Sequence, residues 1–169
     1  MITIVVHGTP APQGSKRAIV HKSTGRAVVM ESSKKVKPWR SAVVDRAVGA
    51  REQQGLAGLL PEPLDGPLVA DMVFTLARPK SHYRTGKNAH LLRGDAPVRP
   101  EGTPDLSKLA RSTEDALTDA GVWRDDARVV EYGRLAKVYA GEDPDALDTP
   151  GAVIRVRPYE PTIDRQVAW

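Results

Sequence analysis

Four oxygen-bearing side chains, Asp105, Ser107, Asp125 and Asp126, fall on two short segments that stand one helix length apart in the chain. Grouped carboxylates are what hard divalent cations take as ligands. A cation held that way polarises a phosphoryl oxygen and lowers the pKa of an attacking water. The chain has no cysteine, which removes disulfides, thiolate zinc sites and cysteine nucleophiles together. His7, His21, His82 and His90 show no zinc-ligand spacing and read as surface or phosphate contacts. Gly14-Ser15-Lys16 lacks the spacing of a phosphate-cradling P-loop. The chemistry left is that of Mg²⁺, with Mn²⁺ as a substitute. Spacing alone serves a second reading equally, in which Asp105 caps a helix and Asp125-Asp126 is a polar turn.

Elements must bring these groups together. After Pro104, the positions Leu106, Leu109, Ala110, Thr113, Ala116, Leu117 and Ala120 follow helical steps of three and four, and Gly121 supplies the stop. In an extended segment leading into that helix, residues two apart face one side, so Asp105 and Ser107 are expected to share a face. The next strand must run back along the helix to carry Asp126 toward Asp105. Adjacent strand residues alternate sides, so Asp126 is expected to be the direct ligand and Asp125 a supporting or capping group.

Ile2 to Val6 reads as a buried strand, and a Gly- and Pro-rich loop then leads to Ser15-Lys16-Arg17. Ala18 to Val20 and Ala27 to Met30 predict a hairpin. Pro38 in a first turn and the steps Trp39, Val43 and Ala47 predict a helix to about Gln53. Residues 55–67 predict a loop that reverses the chain, and Leu68 to Leu76 a core strand. Arg78 to Thr103 has no periodicity and predicts a long mobile loop. Val129 to Ala140, interrupted at Gly133, and Ala152 to Val156 predict two more strands. The pattern predicts an α+β (mixed α/β) domain over residues 1–160, with a small mixed, largely antiparallel sheet and two main helices. A frayed tail is expected over 161–169. No run of about 18 apolar residues offers a membrane span. The start Met-Ile-Thr-Ile-Val-Val carries neither basic leader nor cleavage site, so a cytoplasmic protein is expected.

The formal net charge is +4 over 169 residues, a mild pointer to a polyanion. Its distribution says more. Met1 to Arg40 holds eight Lys or Arg against one acid, and Arg78 to Pro100 six against one, whereas Glu101 to Pro150 holds twelve acids against six bases. Basic arms around an acidic centre suit a nuclease, in which cations hold phosphates and carboxylates hold the metal. Candidate phosphate contacts are Lys16, Arg17, Lys34, Lys35, Lys37 and Arg40 in the first arm, and Lys80, Arg84 and Lys87 in the second. Solvated surface charge is the competing account of the same residues.

Pro104-Asp105-Leu106-Ser107-Lys108-Leu109-Ala110-Arg111, then Asp115-Ala116-Leu117-Thr118, then Gly121-Val122-Trp123-Arg124-Asp125-Asp126-Ala127-Arg128-Val129-Val130 follow in order. Together they resemble the signature of the RusA-type Holliday junction resolvases, roughly P-D-L-D-N/K-L-x-K/R, D-A-L and G-x-x-x-D-D-x-x-V. Weaker likeness extends to Pro-Ala-Pro-Gln-Gly-Ser-Lys-Arg near the amino terminus, to Lys34 through Arg40, and to the basic loop. The resemblance implies a homodimeric, Mg²⁺-dependent enzyme, frequently phage or prophage encoded, that cuts four-way DNA junctions. It implies Asp105 and Asp126 as catalytic metal ligands with Asp125 as their partner. Lys108 stands at a basic or amide position of the signature and joins the candidate DNA contacts. Arg111 stands where the family often has an important lysine; it keeps the charge but cannot donate a proton at neutral pH.

Ser107 stands where the signature has its second aspartate. A hydroxyl is a weak, neutral ligand for magnesium. Either metal binding and catalysis are weakened here, or Glu114 or Asp115 supplies the missing oxygen. Beside the resolvase stand a junction- or branched-DNA-binding protein with weak or lost cleavage, and a nuclease acting on flaps, forks or RNA.

Overall fold

A computed structural model describes residues 1–14, 16–20, 27–31, 34–55 and 59–161, of which 16–20 and 27–31 are described as strand backbone. The elements run β1 (Ile2–His7), β2 (Lys16–Val20), β3 (Ala27–Glu31), α1 (Val36–Gln54), β4 (Leu68–Leu76), α2 (Leu106–Asp119), β5 (Val129–Tyr139) and β6 (Gly151–Pro158). β1, β6, β4 and β5 lie in that order in one mixed sheet. β6 is antiparallel to both β1 and β4, while β5 is parallel to β4. β2 and β3 form a separate antiparallel pair with Val20 opposite Ala27. The expected α+β class, the two helices and the mainly antiparallel sheet are all present. The turn of the hairpin and, apart from Pro161, the tail expected to fray lie outside the described residues.

β4 is central and buried on both faces, which is why Leu-Val-Ala-Asp-Met-Val-Phe-Thr-Leu is nearly continuous in apolar residues rather than alternating. β5 is an edge strand whose first half is exposed. Its pairing with β4 skips Gly133, where a Cβ would stand 2.4 Å from the Asp71 carboxylate. Only glycine fits that bulge without a shift. Among the described residues no helix is long and apolar enough to cross a membrane.

α1 buries Val36, Trp39, Val43 and Ala47, and the same four-residue step then reaches Arg51, a charge that sequence periodicity passes over. Arg51 is 9% exposed. Its Nη1 donates to the Ala120 carbonyl at 2.8 Å and its Nη2 to the Pro61 carbonyl at 2.6 Å. The Ala120 carbonyl is one of those left without an intrahelical partner at the end of α2, so Arg51 closes that end from the neighbouring helix. Gly121 follows at φ +67, the left-handed conformation that ends helices.

The loop expected to be mobile is tethered at both ends to the turn between β5 and β6. Arg78, buried against the Tyr139 ring at 4.1 Å, pairs with Glu142 at 2.7 Å, and Arg99 pairs with Asp143 at 2.8 Å. Asp143 also accepts from Arg134, and its side chain is 1% exposed. Burial pushes its carboxyl upward, but the Asp145 backbone N–H, Arg99 and Arg134 outweigh that and hold it at about 2. Composition showed that the loop was unperiodic and could not show that distant carboxylates would bind its arginines.

Replacing Arg51 with Met keeps the apolar stem and leaves two carbonyls without their donor. Chemical denaturation is expected to show a loss of about 2–4 kcal/mol, and a loss within error of zero would refute the cap.

Asp143 has a folded pKa below its unfolded value near ~3.9. Its stabilisation is therefore full above about pH 4 and is lost as the pH falls through about 2. Asp143→Asn should be less stable by roughly 1–2 kcal/mol at pH 6, and the deficit should shrink toward pH 2. An equal deficit at both pH values would contradict the assignment.

Candidate functional site

α2 carries most of the site on its exposed flank. Asp105 precedes it with φ −65 and ψ 134, and its backbone carbonyl accepts from the Leu109 N–H at 3.1 Å. Its carboxylate makes no capping bond to the helix. Instead it pairs with Lys108 at 2.8 Å, and Lys108, with Lys137 further off, lowers its pKa. Asp105 is thus an exposed carboxylate held by an exposed cation, a pair that a competing charge can open. Lys137 on β5 fixes the lead-in to the helix by donating to the Gly102 and Pro104 carbonyls at 2.7 and 3.0 Å.

The expectation that Asp105 and Ser107 lie in one extended segment is corrected: the helix begins at Leu106, so Ser107 lies within its first turn while Asp105 stays extended just before it. Both residues are exposed at the start of α2.

Asp125 and Asp126 follow a buried anchor. Trp123 is 1% exposed, its Nε1 donates to the Thr118 hydroxyl at 2.7 Å, and its backbone bridges to Leu64. Leu64 donates its N–H to the Val122 carbonyl and accepts from the Arg124 N–H, both at 3.0 Å. The turn carrying the aspartates is thereby pinned to the end of α2. The Asp125 carboxylate accepts from the Ala127 N–H at 2.8 Å and opens a short 3-10 turn over Asp126–Arg128. Asp126, the next residue, is exposed.

Asp126 shares a groove with Asp115, Thr118, Asp119 and Arg40. Arg40 bridges Asp115 at 3.2 Å and Asp119 at 2.7 Å. Gln13 reaches the same Asp115 at 3.1 Å, and its backbone N–H donates to the Lys108 carbonyl at 2.9 Å. The amino-terminal loop is thus docked along α2. One helical step from Asp115, Glu114 accepts from the Tyr132 hydroxyl of β5. Burial raises the Glu114 pKa first of all; the Tyr132 bond opposes that, Asp126 and Asp115 add to it, and Arg111 opposes it. Tyr132 is also raised, by burial and then by Glu114. Glu114, Tyr132, Arg111 and Asp126 therefore act on one another electrostatically. Tyr132 carried no sequence signal of this role.

β5 does run back beside α2, yet Asp126 meets the last turns of the helix while Asp105 stands before the first. Ten residues of helix separate Asp105 from Asp115, roughly 15 Å at 1.5 Å per residue. Among the described residues no three His, Asp or Glu side chains are grouped as a metal ion would require.

The candidate DNA contacts divide by partner. Arg40 and Lys108 are held in ion pairs. Lys34, Lys35, Lys37, Lys80, Arg84 and Lys87 are exposed, and none has an acidic partner among the described residues. In the basic loop, Arg78, Arg93 and Arg99 are paired with acids, so Lys80, Arg84 and Lys87 are the cations left for an external anion. The side chains of Lys16 and Arg17 lie outside the described residues. His82, expected at the surface, is half-buried with its ring edge-on to Tyr139 at 5.7 Å.

A comparison with curated proteins found no match. The model of the family described as endodeoxyribonuclease RusA matches residues 9–147. That span takes in the docked amino-terminal loop, the basic loop, α2 and the Asp125-Asp126 turn. The chain belongs to the RusA family of endodeoxyribonucleases, enzymes that resolve Holliday junctions.

Proposed function

We propose that this chain, as a homodimer, cuts four-way DNA junctions hydrolytically with Mg²⁺, for which Mn²⁺ can substitute. The observation that carries the reading is the position of Asp126, exposed on a turn anchored by the buried Trp123 and held by the Asp125 carboxylate, in one groove with further carboxylates on α2. The donor set is entirely oxygen, which suits magnesium. That ion takes one or two carboxylates, keeps several waters and accepts substrate phosphate oxygens, so a closed cage of three protein groups is not needed. Asp126 and Asp105 would hold it. When bound it supplies charge stabilisation and an activated water.

The protein's own part is positioning. Asp125 holds the turn through the Ala127 N–H and so aims Asp126. Arg111, exposed on α2 beside Glu114, is placed to meet charge that builds on the phosphate. The separation of Asp105 from Asp126 along α2 supports the dimer. A second copy can bring to one phosphate the carboxylate that a single chain holds toward the other end of α2.

Ser107 favours a second reading, a junction-binding protein with weak or lost cleavage, because that position offers no carboxylate beside Asp105. Incubating a synthetic four-way junction with the protein, with and without Mg²⁺, decides between the two; flaps and forks run alongside test other branched substrates.

Asp126→Asn is expected to lower junction cleavage by about a hundredfold or more, since metal-assisted charge stabilisation is worth several kcal/mol. Junction binding in a gel-shift assay should be retained. Unchanged turnover would remove Asp126 from the site.

Junction affinity should also fall with salt, log K dropping by about 0.9 per log unit for each phosphate neutralised. Neutralising Lys34, Lys35 and Lys37 should flatten the slope by up to that amount per lysine. A flat salt dependence in the unmutated protein would show that the arms do not bind phosphates.

A further inference from the structure

Between the basic loop and the end of β5 lies a pocket of about 270 Å³ that the reading above leaves unused. Its lining includes Pro79, His82, Pro97 and Tyr139 and, on the approach to Asp105 in the chain, Glu101, Gly102 and Thr103. Thr103 is two residues before Asp105, and the Gly102 carbonyl is held by Lys137 at 2.7 Å. The pocket therefore opens beside one of the two carboxylate positions.

Its size and lining narrow the occupant. Just below the usual range for ligand sites, the cavity suits one flat ring system rather than a whole nucleotide. The His82 imidazole is an aromatic surface on which a nucleobase can stack without regard to sequence, while one face of the Tyr139 ring is already covered by Arg78. The Nδ1 of His82 is buried with no hydrogen-bond partner among the described residues, and a heterocycle carries groups that would satisfy it once the imidazole turns. Lys80 lies between the pocket residues Pro79 and His82 in the chain, is exposed and lacks an acidic partner among the described residues, so a phosphate can be held at the pocket's edge. At a branch point, bases are already partly unstacked, which lowers the penalty for drawing one out.

We propose that this pocket receives one unstacked nucleobase of the branched substrate and so sets which phosphate lies at Asp105. The proposal rests on the branched-DNA reading. Gly102→Leu adds a bulky side chain to the pocket's lining, and a Cβ at Gly102 meets nothing within 4 Å, so the backbone need not move to take it. His82→Ala removes a wall without adding bulk.

The experiment is photocrosslinking at saturating protein, with 5-iodouracil placed in turn at each position around the branch point of a synthetic junction. The unmutated protein should give an adduct on His82 or Tyr139 from one position, located by mass spectrometry of the digested complex. Gly102→Leu should reduce that adduct at least tenfold while still retarding the junction in a gel. His82→Ala should remove any His82 adduct and leave junction retardation in place. Adducts elsewhere only, or an adduct of equal yield in Gly102→Leu, overturn the pocket and leave the nuclease reading standing. No retardation of any junction by the unmutated protein overturns the branched-DNA reading, and this proposal with it.

Discussion

The parallel pairing of β4 with β5 is the constraint on which the rest depends. Antiparallel neighbours can be joined by a tight turn, but parallel strands require the chain to cross back over the sheet. Here the crossing is made by residues 77–128. It contains the basic loop, Asp105, the whole of α2 and the Asp125-Asp126 turn. The site is what the crossover carries. Because β5 must return beside β4, it also passes along α2, which brings Tyr132 to Glu114 and Lys137 to the carbonyls before Asp105. Removing the parallel pair would take from α2 the supports that β5 supplies, Tyr132 at Glu114 and Lys137 before Asp105.

How much of this was legible in the sequence depends on whether the deciding contacts were local. Leu68–Leu76 was readable to the residue because a strand buried on both faces is continuously apolar. α2 was readable because its buried positions repeat at helical steps and Gly121 stops it. Ser107, expected in the extended lead-in, lies instead in the first turn of α2, since helix boundaries are where periodicity is weakest. Arg51 was missed for the opposite reason. It continues the buried stripe of α1 in the right register, but its partners are carbonyls at Ala120 and Pro61, which no pattern around Arg51 announces. The tethering of the basic loop by Glu142 and Asp143 was hidden in the same way, by distance along the chain.

Pairing decides what a count of charges means. Of the six bases in the loop, Arg78, Arg93 and Arg99 are paired with acids, and the three put forward as phosphate contacts, Lys80, Arg84 and Lys87, have no acidic partner among the described residues. The paired arginines act on the loop's shape and the unpaired Lys80, Arg84 and Lys87 on its surface potential. Both are electrostatic, but only the second is available to DNA without breaking contacts. Arg40 makes the same point in the first arm. It lies among exposed lysines, yet its guanidinium joins Asp115 to Asp119 and so shapes the groove in which Asp126 lies.

The replacement of an aspartate-type position by Ser107 has a different meaning once the helix is in view. A carboxylate at 107 would project from the first turn of α2, away from Asp126 by most of the length of the helix. Glu114, by contrast, is within electrostatic reach of Asp126, and the Tyr132 hydroxyl holds one of its oxygens while burial raises its pKa. Burial and neighbouring acids both resist a negative charge there, and a divalent cation would relieve both at once. A carboxyl strained in that sense gains more from a nearby cation than a solvated one does. The two ends of α2 thus differ in charge: Asp126 shares its groove with Asp115 and Asp119, while Lys108 and Lys137 make the surroundings of Asp105 positive.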